Sequence, residues 1–162
     1  MKKKKTQKTN AIRILEKNRV NYRVHEYPWS EEHLDAKIAA ENVRGIPLEK
    51  VYKTLVTVGD NTGVTIACIP AEHELNLKSL AKVSDNKEVE MLGMKDLESN
   101  TGYIRGGCSP IGMKKNFPIF VAVAAETMET IVLSSGKRGM QIELSPADLL
   151  SVTGAVYADI TK

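Results

Sequence analysis

The amino-acid sequence predicts an α+β fold, a single domain in which short strands and short helices are interspersed around a mixed, largely antiparallel sheet. Three observations carry this reading. Runs rich in β-branched residues recur from Val20 to Ile160, separated by brief stretches with helical spacing. The apolar fraction, 42% of 162 residues, is ample for one hydrophobic core. No internal repeat, linker or low-complexity segment divides the chain.

Residues 1–9 read as a basic flexible tail, with Lys2, Lys3, Lys4 and Lys5, and the domain is expected over 10–162. Ile12 and Leu15, three apart between Asn10 and Asn18, predict an amphipathic first helix. Val20 to Tyr27 alternates Tyr22, Val24 and Glu26 with Arg23, His25 and Tyr27, which predicts a strand stopped by Pro28. Leu34 and Ile38 share a helical face between Glu31-Glu32 and the stop signals Gly45 and Pro47, so a second helix is expected there. Val51 to Val58 and Val64 to Pro70, joined through Gly59-Asp60-Asn61-Thr62-Gly63, form the clearest hairpin signal in the chain. A helix is expected around Leu77, Leu80 and Ala81, a strand from Lys87 to Met91 and a short helix from Met94 to Ser99.

After Gly102 the texture changes to a loop, Gly106-Gly107-Cys108-Ser109-Pro110-Ile111-Gly112. Ile119 to Ala124, Thr130 to Leu133 and Met140 to Leu144 read as strands, with Ser134 to Gly139 as the turn into the last of them. Ser145 as N-cap, Pro146 at the first helical position and Asp148 at the third predict a helix ended by Gly154, and a final strand is expected from Ala155 to Ile160.

Net charge is +3, from 23 basic against 20 acidic side chains, but Lys2, Lys3, Lys4 and Lys5 alone supply more than this excess. Global charge therefore does not identify a nucleic-acid partner. Cys68 and Cys108 lack the paired spacing of a disulfide framework or a zinc ribbon, and the chain reads as cytoplasmic. His25, His33 and His73 form no ligand motif, so no metal is expected. No phosphate-binding or dinucleotide glycine motif follows a strand, so no cofactor is expected either. No run reaches the roughly 20 apolar residues of a membrane span.

Lys53 lies mid-strand on the face of Val51, Leu55 and Thr57. By pattern alone a lysine on the solvated side is the commoner case. Glycines in the 106–110 loop let backbone amides approach a ligand, although an ordinary turn has the same composition. Cys108 sits on what reads as an exposed loop near basic groups that lower a thiol pKa, but no histidine is spaced to serve it as a base. Cys68, on an apolar strand, reads as core. Ser134, Gly136, Lys137 and Arg138 combine hydroxyl, glycine and cations that can hold a phosphate or ribose, and equally suit a polar hairpin tip. Tyr27 and Trp29 can stack on a base or simply pack, and Lys114-Lys115 is either a solvated pair or a phosphate contact.

Val51-Tyr52-Lys53-Thr54-Leu55, Thr101-Gly102-Tyr103 ahead of Gly106 to Pro110, and Gly136-Lys137-Arg138-Gly139 followed by Ile142-Glu143-Leu144 resemble, in order and spacing, the YbaK/EbsC family of aminoacyl-tRNA deacylases. That family is related to the editing domain inserted in many bacterial prolyl-tRNA synthetases, and the likeness runs from about Asn10 to Ile160. It implies a barrel-like sheet and hydrolysis of mischarged tRNA, foremost cysteine on proline tRNA, by substrate-assisted chemistry. It further implies Lys53, Gly106 and Gly107 as catalytic, and Tyr27, Cys108, Ser109, Pro110, Ser134, Gly136, Lys137, Arg138 and Gln141 as substrate-binding. The implied partners are the proline tRNA acceptor end and, transiently, prolyl-tRNA synthetase. The chain departs from the family pattern at Gln141, where an aspartate is usual. Three other readings stay open: an alanine-directed relative, a non-catalytic tRNA-end, synthetase-binding or regulatory module, and a thioester hydrolase using Cys108.

Overall fold

The structure, a computed structural model, describes residues 8–27 and 46–162. The Lys2–Lys5 tail, Pro28, Trp29, His33 and the helix expected around Leu34 and Ile38 lie outside the described residues.

The chain forms α1 (Asn10–Lys17), β1 (Arg23–Glu26), a 3-10 turn (Leu48–Lys50), the hairpin β2 (Tyr52–Gly59) and β3 (Gly63–Pro70), α2 (Leu77–Val83), β4 (Val89–Met91), and α3 (Met94–Thr101). There follow β5 (Ile119–Ala122), a 3-10 turn (Val123–Thr127), β6 (Ile131–Lys137), β7 (Met140–Leu144), α4 (Pro146–Thr153) and β8 (Val156–Ala158). Two sheets result, ordered β1-β7-β6 and β4-β2-β3-β5-β8. Only β3–β5 and β5–β8 pair in parallel, so the sheets are largely antiparallel as expected. Among the described residues they do not close into a barrel; a single parallel bridge, Val51 to Val132, joins them.

Local chemistry explains the boundaries. Thr9 caps α1 by accepting from the Ile12 amide at 3.2 Å, and its hydroxyl donates to the Ser135 carbonyl at 2.6 Å. Thr9 is therefore anchored to both α1 and β6. The Ser145 hydroxyl accepts from the Asp148 amide at 3.1 Å, as the sequence predicts, and Gly154 closes α4 at a φ of 75°. The strand expected over Ile119 to Ala124 stops at Ala122, where the 3-10 turn begins. The larger departure is at Ser134 to Gly139. Instead of a long turn, β6 continues to Lys137 through a register shift, so that Ser134 pairs with Gln141. Gly136, at a φ of 99°, makes this irregularity possible.

The core lies between the sheets and the helices. Ala11, Ile12 and Leu15 of α1 pack with Ile66, Leu133 and Ile142, and Cys68 is fully buried among them. The other side of the small sheet is mixed, mostly polar but with the buried Val132. That face carries Arg23, His25, Gln141, Glu143, Val132 and Ser134, because residues paired across an antiparallel ladder point the same way.

One polar network pins this outer face to the start of β2. The Glu143 carboxylate receives hydrogen bonds from His25 Nε2 at 2.8 Å, Lys50 Nζ at 2.9 Å and the Thr130 hydroxyl. Burial alone raises the Glu143 carboxyl, but the hydrogen bonds from Thr130, Lys50 and His25 together outweigh it and hold the group at about 2, against an ordinary 4.5. A depressed folded-state value means that this stabilisation is complete above about pH 4.5 and is lost as the pH falls toward 2. Glu143→Gln is expected to cost about 2 kcal/mol at pH 7, read as a melting temperature lower by roughly 4–8 °C. The gap between wild type and variant should close in melts run near pH 2.5; a gap of constant size would contradict the network's role.

Candidate active site

Three segments that the sequence singles out come together at the junction of the two sheets. Val51 bridges Val132 in parallel, and two residues further along each strand stand Lys53 and Ser134, on the same side of the backbone as the bridge. Ser134 lies opposite Gln141, which lies opposite His25. The result is a polar row across the seam, with Lys53 at one end. Lys53 is half-buried, and among the described residues its amine has no ion-pair partner. Gln141 is 3% exposed, yet its Oε1 is buried with no hydrogen-bond partner among the described residues. Such an acceptor costs about 1–3 kcal/mol until a donor meets it, so it is a polar group with capacity to spare at this junction. The Ser134 oxygen accepts from the Gly136 amide at 3.2 Å, which leaves its own hydrogen to donate.

The glycine loop meets this row at the β6–β7 turn. Ile104 to Gly107 forms a tight turn closed by the Gly107 amide donating to the Ile104 carbonyl at 3.0 Å. Gly106, at its third position, has a φ of 85°, a conformation that a side chain would strain. Gly107 is pressed against the neighbouring turn: a Cβ there would stand 3.1 Å from the Arg138 nitrogen and 3.2 Å from the Lys137 carbonyl carbon. Arg138 completes the join by donating from Nε to the Arg105 carbonyl at 2.7 Å. Tyr103 locks the loop from beneath, its hydroxyl donating to the Ile111 carbonyl at 2.6 Å and its ring lying against Gly136. Tyr27 reaches the same place, its amide donating to the Gly139 carbonyl at 2.9 Å.

These contacts correct several expectations. The Gly107 amide, expected to face an oxyanion, is already engaged by the Ile104 carbonyl, and the Ile111 amide by the Ser109 hydroxyl; among the described residues the Gly106, Cys108, Ser109 and Gly112 amides of the loop have no acceptor. Ser109, expected at the ligand, is fully buried, and its hydroxyl accepts from the Ile111 amide. Pro110 is likewise buried. Gly136 and Arg138 hold the two loops together. Cys108 is half-buried rather than exposed, and burial pushes its thiol up to about 12, a hydrogen bond with Thr101 offsetting only part of this. At neutral pH it is a protonated thiol, the reverse of an activated nucleophile.

The sequence reading missed the clamp made by Tyr103 and the network around Glu143. A tyrosine beside a glycine-rich loop was the available signal for the first. The second depends on contacts 93 and 118 residues apart and had none.

The fold and this site define a class: a small α+β domain that gathers a strand lysine, a buried amide and a glycine loop at the seam of its sheets, with no activated side-chain nucleophile among these groups. The chain belongs to the aminoacyl-tRNA editing domain family, whose model matches residues 31–152. It is 56% identical over 160 residues to EbsC of Enterococcus faecalis, named as a candidate Cys-tRNA(Pro)/Cys-tRNA(Cys) deacylase; the match covers 99% of this chain and 97% of that one. It is 30% identical over 97 residues, 60% of this chain, to a segment covering 17% of the proline–tRNA ligase of a Sulfurihydrogenibium species. The same fold occurs in a solved structure described as a candidate trans-editing enzyme for prolyl tRNA synthetase, at a TM-score of 0.81 and 22% identity, covering 97% of this chain and 99% of the other.

Two outcomes follow from the packing. Gly107→Ala should part the loops by a few tenths of an ångström, because its new methyl group meets backbone rather than a flexible side chain, and should lower kcat/KM for the aminoacyl-ester substrate about tenfold. Cys108→Ser should retain most activity, and in wild type Cys108 should resist iodoacetamide at pH 7 until the chain is unfolded.

Proposed function

We propose that this chain hydrolyses the ester joining an amino acid to the 3′ end of a mischarged tRNA, with cysteine on proline tRNA as the preferred substrate. The observation that carries the reading is the pairing of an uncompensated Lys53 amine with the orphaned Gln141 oxygen on either side of Ser134. A cation and an unmet acceptor suit a ligand that brings both negative charge and donors, as an aminoacylated adenosine does. Membership of the editing family and the name of the Enterococcus relative support the same reading.

In this reading the substrate's own thiol does the chemical work. Its sulfur bonds to the carbonyl carbon, the ester C–O bond breaks, and the thiol proton passes to the departing ribose oxygen. The four-membered thiolactone so released is opened by water to free cysteine. Lys53 counters the charge that develops on the ester oxygens, and the amides of Gly106 and Cys108 supply the oxyanion contacts. Ser134 and Gln141 align the ribose and the α-amino group, and Tyr27 stacks on the terminal adenine while Lys137 stands at the mouth. The protein works in the cytoplasm, with prolyl-tRNA synthetase as a transient partner that supplies tRNA selectivity.

Deacylation of Cys-tRNA(Pro), Ala-tRNA(Pro) and Pro-tRNA(Pro), with and without the synthetase, tests this directly. Cysteine should be removed fastest, and Lys53→Ala should lower kcat/KM by about 10²–10³. Alanine removed as fast as cysteine would exclude the thiol-assisted route. Binding of charged tRNA with no turnover would leave a non-catalytic module in its place.

A further inference from the structure

The site described so far accounts for the aminoacylated nucleoside but not for the RNA behind it. We propose that the groove between α1 and residues 110–117 seats the base-paired stem of that RNA, holding it through its phosphates. The proposal rests on the reading above for which RNA end enters the site, and it names the surface that receives the adjoining stem.

The first observation is a local imbalance of charge. From Ser99 to Ala125 the chain has no aspartate or glutamate but has Arg105, Lys114 and Lys115, all exposed. The chain's overall excess of basic groups is no larger than the four lysines at positions 2 to 5 provide, so this cluster stands out from a domain otherwise near neutrality.

A second observation comes from the facing helix. Asn10, Arg13, Ile14 and Lys17 lie on one side of α1 by their spacing. Asn10 Nδ2 donates to the Gly112 carbonyl at 2.9 Å, and Ile14 packs on Gly112, so this side of the helix adjoins the loop. Its other two members, Arg13 and Lys17, are exposed cations. The one acid of the helix, Glu16, is hydrogen-bonded by Lys8 and Tyr22 instead.

Beside them runs a groove of about 220 Å³, lined by Ile14 of α1, by Pro110, Met113, Lys115 and Phe117, and on its far side by Val152 of α4. Pro110 is also the end of the glycine loop, so the groove leads away from the site itself. Lys115 lines the groove, Arg13, Lys17 and Lys114 are exposed on the two segments that flank it, and Glu16 is engaged by Lys8 and Tyr22, a set of charges that matches a phosphate backbone better than the mixed charges of a protein surface. Each phosphate neutralised releases counterions, which makes the surface measurable.

Anisotropy titrations of the full chain with an uncharged acceptor-stem RNA minihelix, between 50 and 200 mM salt, supply the test. Arg13→Glu combined with Lys115→Glu should flatten the dependence of log K on log salt by about 2 and weaken low-salt binding tenfold or more. Comparison with wild type cancels whatever the other lysines contribute. The same pair should leave turnover of an aminoacylated CCA trinucleotide, which has no stem, unchanged; Arg13→Gln with Lys115→Gln, which removes the same two phosphate contacts and should flatten the slope by a comparable amount, serves if the charge reversals lower the melting temperature. An unaltered salt slope would overturn the proposal, as would normal minihelix binding with lost binding of the synthetase, which would assign the groove to a protein. Absence of turnover by wild type on every charged tRNA, with the slope difference intact, would remove the deacylase reading and leave the stem site standing.

Discussion

Where β2 enters beside β6, one parallel bridge between Val51 and Val132 joins two sheets that are otherwise separate among the described residues, and the placement of the site depends on it. The bridge sets which residues stand abreast across the seam. Shifting it by one residue would turn Lys53 away from Ser134, since neighbouring side chains on a strand point to opposite faces. Both bridge residues are fully buried, packed with Ala71 and flanked by Ile46 and Leu48 in a small apolar cluster of their own. Next to them Lys50 is tied to Glu143, which fixes the approach of β2 from the polar side. Apolar packing and a charged anchor thus act on consecutive residues, Val51 and Lys50, to hold one register.

Two lysines three positions apart consequently differ in role. Lys50 has its charge met by a carboxylate that burial and hydrogen bonds keep ionised, so it serves the fold. Lys53 has no such partner among the described residues, so its field remains available to a ligand. The glutamine at 141 preserves that difference. An aspartate there, in the same row as Lys53, would stand as a counter-ion and quench part of the field in a site of low dielectric. A neutral amide keeps the lysine uncompensated and still offers an acceptor. Gln141 thus leaves the charge of the row to Lys53 while keeping a polar group in place.

Much of the fold was legible because it is written locally. The hairpin β2–β3 follows from two β-branched runs around a glycine-bounded turn, and α4 from Ser145, Pro146 and Gly154 at cap positions. Cys68 in the core follows from its apolar neighbours. The site was legible as a set of segments but not as a division of labour within them. Gly106 and Gly107 look alike in sequence; one permits a turn at positive φ, and the other lets two backbones touch. Ser109 and Ser134 are both loop-like serines by pattern, yet one is buried against its own loop and the other is set in a strand opposite Gln141.

Sequence alone determined the elements, their caps, the apolar core and the family motifs, because each is set by residues within a few positions of one another. Tertiary structure alone decided which amide is occupied, which thiol is buried and which lysine is left without a counter-charge. Those properties depend on groups brought together from distant parts of the chain, as Arg105 with Arg138 and Lys50 with Glu143 are. Hydration and electrostatic screening follow from that assembled environment, and no local pattern encodes it.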